Sequence, residues 1–147
     1  MNLQCFTSSF LFSINSIVAY SINDEVYCIL FFALFITSLI VHTKNTIFTN
    51  LIDKISILGV VLYGGYLFFN KLNYLLYSKT VYETPIFIFK IFLSSFIITT
   101  FISTIYLYCY GYYCKDYCFY HDKVIADIYH SLLHLISFLG HLGIMIL

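Results

Sequence analysis

Residues 124–147 read VIADIYHSLLHLISFLGHLGIMIL. At 100° per residue, Asp127, His130, His134, Ser137 and His141 share an arc of roughly 80°, while Ile128, Leu132, Leu135, Ile136 and Leu139 cover the remaining circumference. The stretch is therefore an apolar helix with one narrow polar stripe. His130 and His134 stand one turn apart on that stripe, close enough for both imidazoles to reach a single metal ion. The residues opposite this pair decide what it does.

The rest of the chain is as apolar as this helix. Of its 147 residues, 61% are hydrophobic and 10% charged, whereas about a quarter of a soluble domain is charged. Mean hydropathy is +0.91. This composition predicts an all-α, polytopic transmembrane bundle forming a single domain over 1–147, with the lipid bilayer as its surroundings. Net charge is zero and all seven basic residues are lysines, so no nucleic-acid-binding surface is expected.

Working back from the last helix, apolar runs predict further spans over about 6–22, 26–42, 52–69 and 85–110. The first has neither a basic leader nor a small-residue cleavage site, and reads as a membrane helix rather than a signal peptide. Its Ser9, Ser13 and Ser16 suit close helix packing. Residues 70–84, NKLNYLLYSKTVYET, are too short an apolar stretch to cross and read as a loop or interfacial helix. Pro85 opens the fourth span, and Lys90 near its start is placed to snorkel.

The second span ends in Ser38-x-x-x-His42, and Asp53 opens the third after a short polar link. Helices joined so closely are antiparallel neighbours, so Asp53 returns to about the depth of His42. With one crossing over 85–110, the last helix starts on the same side of the bilayer. Five helices then bring Ser38, His42, Asp53, His130 and His134 to one depth. A sixth crossing would part them by much of the ~30 Å apolar core.

Ionisable groups inside a bilayer pair, line water or bind ions. Three imidazoles make a tetrahedral zinc site with one position open to water, the catalytic pattern. Such a site activates water for attack on a lipid amide or ester carbonyl. Asp53 is then the group that holds or deprotonates the water, and Ser38 the one that orients it or donates to the oxyanion. Asp127, one turn before His130, is a candidate support for a ligand imidazole, as is His141 further along the stripe.

This constellation resembles the superfamily that unites alkaline ceramidases, progestin and adiponectin receptor-like proteins and GPI-anchor lipid remodellers. The resemblance rests on residues 38–56 and 124–141. It implies a metal-dependent lipid hydrolase with His42, His130 and His134 as zinc ligands and Asp53 and Ser38 beside the activated water. The family has seven helices. About 77 residues separate Asp53 from His130, room for one crossing where the family has three, and the Trp-Cys-Glu-like motif of alkaline ceramidases is missing. The chain thus looks like a reduced relative, viral by its size and composition. Loss of two helices keeps the sidedness, and a second copy of the chain is a partner that would restore the lost cavity walls.

Two other readings of the histidines stand beside this one. They could make interhelical hydrogen bonds in a structural membrane protein, or His42 and one last-helix histidine could ligate a haem. Five cysteines rule out complete disulfide pairing within the chain. Cys109, Cys114 and Cys118 with His121 are a weaker candidate for a second zinc. On the metal side the loops carry Lys44, Lys54, Lys115 and Lys123 against Lys71 and Lys79 opposite. That bias puts the metal side and the N-terminus in the cytoplasm, in an endomembrane or viral host membrane.

Overall fold

A computed structural model describes residues 3–77 and 85–147. The architecture is all-α: α1 (Leu3–Ser8), α2 (Phe10–Ser21), α3 (Glu25–Thr43), α4 (Ile47–Tyr77), α5 (Pro85–Ile105), a π turn (Tyr106–Tyr110), α6 (Gly111–Cys114), a 3₁₀ turn (Tyr117–Phe119) and α7 (Lys123–Ile146). Four rods are long and apolar enough to cross a membrane: Glu25–Thr43, Ile47–Tyr77, Pro85–Phe119 and Lys123–Ile146. The chain is a membrane protein. Large apolar side chains such as Ile29, Leu62, Ile88 and Ile102 point outward, as lipid requires.

Local chemistry starts and stops these helices. Asp24 caps α3 by accepting from the Tyr27 amide at 3.0 Å, and Asp122 caps α7 by accepting from Val124 at 2.8 Å. Thr46 and Thr49 exchange backbone-to-hydroxyl bonds of 2.9 and 3.1 Å at the head of α4, a capping box with threonine in the usual glutamate position. Pro85 occupies the first position of α5. Beyond α6 the chain turns back through Lys115 at φ 60°. A Cβ on Gly111 would lie 2.8 Å from the Asp116 carbonyl oxygen, so this return needs glycine.

The structure departs from the expected 6–22 and 70–84 boundaries. The first rod is described from Leu3 and tightens at Ser9, whose backbone stays helical at φ −63° and ψ −24°. Ser8 and Ser9 hydroxyls both reach the Cys5 carbonyl, at 3.1 and 2.7 Å, and serine back-bonding of this kind bends helices. Residues 70–77 are neither loop nor separate interfacial helix, because α4 continues unbroken through them. No proline or glycine interrupts that stretch, and Lys71 anchors it by donating to the Ile144 and Met145 carbonyls at 2.8 and 3.1 Å. At 31 residues α4 is about 46 Å long and overshoots a ~30 Å core. Residues 78–84 lie outside the described segments.

Contacts at the two ends show which termini of the long rods lie together. On one side Lys54 of α4 meets Tyr108 after α5, its ammonium 5.0 Å from the ring centroid and bonded to the hydroxyl. Tyr117 packs against Tyr129 of α7 at 5.1 Å between centroids. On the other side Lys71 and Lys90 meet the last carbonyls of α7, Lys90 donating to Leu147 at 2.9 Å. Two cations at a helix C-terminus complement its dipole, so Lys90 has a partner rather than merely snorkelling.

Phe12, Ala19, Tyr27, Phe31, Leu34, Val60 and Met145 form the main core, with Ile97, Ile144 and Leu147 in a second cluster. Lipid tails are as apolar as these side chains, so close packing and interhelical hydrogen bonds hold the rods together. Gly140 and Gly143 let α5 approach α7 closely. A Cβ there would fall 2.3 Å from Thr100 Oγ1 and 2.9 Å from Ile97 Cγ1. The first rod packs on both α3 and α7. Ser9 and Ser16 serve that packing, bonded to Ser38 Oγ at 2.8 Å and to the Cys28 carbonyl at 2.9 Å, whereas exposed Ser13 bonds within its own helix.

Candidate metal centre

His42 lies in the last turn of α3, and His130 and His134 lie about two and three turns into α7. Their three rings meet. Centroids are 5.2 Å apart for His42 and His130, 5.4 Å for His42 and His134, and 4.9 Å for His130 and His134. Two stretches remote in sequence thus converge at one end of the bundle, where antiparallel α3 and α7 place them.

A donor from α1 joins two of these histidines, and His134 falls outside this closest donor set. The potential ligand atoms of Cys5, His42 and His130 all lie within 4.8 Å of one another. Cys5 is 1% exposed, with Sγ 3.6 Å from the Asp127 carbonyl oxygen and 3.8 Å from Ser131 Oγ. Sequence reasoning missed it because a single cysteine in an apolar run has no ligand-like spacing.

His134 stands beside this set, its Nδ1 2.8 Å from Ser8 Oγ. The Ser8 hydroxyl proton has two acceptors in reach, the Cys5 carbonyl at 3.1 Å and His134 Nδ1, so this contact fits either tautomer of His134. An oxygen that fixes a ring in this way is the usual companion of a metal-binding histidine. Ser8, like Cys5, was not among the expected site residues.

The other expected residues occupy different places. Ser38 is buried one turn before His42, bonded to Ser9 Oγ. Asp53 is half-buried and accepts from Thr37 Oγ1 at 3.3 Å; among the described residues no hydrogen bond joins it to an imidazole. Asp127 acts through its backbone, its carbonyl accepting from Ser131 at 2.9 Å and facing Cys5.

His141 does not support the other three histidines. It lies about 10 Å further along α7 than His134 and is 2% exposed. Its Nδ1 is hydrogen-bonded to the Tyr27 hydroxyl, and the rings of Phe31, Phe101 and Tyr27 surround it at 5.3, 5.4 and 5.8 Å. This is a separate interhelical node, made possible by Gly64, where a Cβ would lie 2.7 Å from the Tyr27 hydroxyl.

Among the described residues, Cys109, Cys114, Cys118 and His121 form no comparable donor group. Compared with known protein families, curated proteins and solved structures, the chain matches none. The reading of the site rests on its residues and their geometry.

Proposed function

We propose that this membrane protein holds a zinc ion between α1, α3 and α7 and hydrolyses an amide or ester bond of a membrane lipid, as its resemblance to the ceramidase-like hydrolases implies. The observation that carries the reading is the meeting of His42 with His130 and His134, all three centroids within 5.4 Å. The donor chemistry fits the ion. Imidazole nitrogen and thiol sulfur are among the ligands zinc prefers, and Ser8 holds the His134 ring in place through Nδ1. Rings in mutual contact leave no slot for a planar macrocycle between them, which weighs against haem.

When bound, zinc supplies Lewis acidity that activates water and polarises a carbonyl. The chain's own groups do the rest. His42, His130 and His134 hold the ion. Asp53, at the same end of the bundle, is the carboxylate available to take a proton from water, and Thr37 orients it. Ser38 positions His42's turn against α1 through Ser9. The bias of loop lysines supports a cytoplasmic orientation for this end, in what we take to be an endomembrane or viral host membrane.

The test is release of fatty acid from vesicles carrying ceramide or phospholipid by the purified, zinc-supplied protein, measured by mass spectrometry. We expect release that a chelator abolishes and that Asp53→Asn slows by about 10²–10⁴-fold, the usual worth of a positioned acid–base group. No release from either lipid class by folded, zinc-containing protein would overturn the hydrolase assignment.

A further inference from the structure

We infer that Cys5 is itself a metal ligand, sharing one site with His42 and His130 in the place that the histidine-only reading gives to His134. The inference rests on the zinc reading above and gives it a ligand from a different helix. Cys5 Sγ shares the 4.8 Å circle of donor atoms with His42 and His130. It sits at 1% exposure on the inner face of α1. Two neighbouring residues tie α1 to the same place: Ser8 bonds His134 Nδ1 at 2.8 Å, and Ser9 bonds Ser38 at 2.8 Å, one turn from His42.

A short helix thus sends one candidate ligand and one hydroxyl, holding His134, into the same site. The Cys5 backbone takes part as well, its carbonyl in reach of both the Ser8 and Ser9 hydroxyls. Those contacts fix the turn from which Sγ projects. Metal binding would release the thiol proton, since the thiolate is the ligand form.

Cys5, His42 and His130 as ligands leave the fourth tetrahedral position to water, as hydrolysis requires.

Cobalt(II) absorption of the full chain in detergent tests the assignment without reference to activity. A thiolate ligand adds an intense ligand-to-metal charge-transfer band in the near ultraviolet that imidazole ligands do not give. Wild type loaded with cobalt chloride is expected to show it. So is a variant in which Cys28, Cys109, Cys114 and Cys118 are all serine, leaving Cys5 the sole thiol. Cys5→Ser should lose the band while keeping the visible cobalt bands of the imidazoles.

Cobalt bound with no charge-transfer band in wild type, or with a band unchanged by Cys5→Ser, would overturn the Cys5 assignment and leave a site made by histidines. No cobalt bound by folded wild type would overturn the metal reading itself. Should Cys5→Ser fail to fold, the Cys5-only variant decides alone: a band supports the assignment, and its absence at full cobalt occupancy refutes it.

Discussion

His141→Ala should be among the most destabilising single substitutions in the chain, lowering unfolding free energy in detergent by about 2–4 kcal/mol. Two losses add. Removing the imidazole opens a cavity among Phe31, Phe101 and Tyr27, whose rings now lie within 5.8 Å of it. It also strips the Tyr27 hydroxyl, in a residue with 0% exposure, of its partner. Tyr27→Phe should cost less once His141 is already alanine, because the shared hydrogen bond is then gone. Zinc content should be unchanged, since the node lies about two turns from His134. Loss of zinc from folded His141→Ala would place His141 in the metal site after all.

Two adjacent glycines should respond with opposite signs. Gly64→Ala puts a methyl carbon 2.7 Å from the Tyr27 hydroxyl and 2.8 Å from His141 Cε1. Overpacking of a buried contact costs about 1–3 kcal/mol. Neither ring can yield easily, being boxed in by Phe31, Tyr63 and Phe101. Gly65→Ala meets nothing within 4 Å. It should therefore stabilise α4 by up to about 1 kcal/mol through helix propensity alone. Thermal unfolding of both variants beside wild type reads the contrast. Equal shifts would mean that Gly64 does not make room for the Tyr27–His141 pair.

The long rods were legible because their cause is local. Apolar runs over 26–42, 85–110 and 124–147 leave helix as the way to satisfy the backbone in lipid. The extent of α4 was not, because Asn70 and Lys71 resemble a membrane exit in isolation. Lys71 stays in the helix by reaching carbonyls of α7, 73 and 74 residues away. Likewise Ser9 looks like a packing serine, and the tightening there follows from two hydroxyls converging on the Cys5 carbonyl.

At the site, the meeting of His42 with His130 and His134 could be reasoned from spacing and the parity of crossings. Both are one-dimensional properties. The contributions of Cys5 and Ser8 could not, since α1 reaches α7 across 126 residues and a lone thiol has no periodicity. His141 misled for the opposite reason. It shares the polar stripe, but its partner Tyr27 lies 114 residues earlier, on α3. A helical stripe specifies direction and not destination.

The most direct test of the account is metal content by elemental analysis of detergent-purified protein, wild type beside His42→Ala and His130→Ala. About one zinc per chain in wild type, and little in either variant, is the predicted result, because one ligand comes from each of two distant stretches. Zinc absent from folded wild type after zinc has been supplied, or retained in full by both variants, would contradict it.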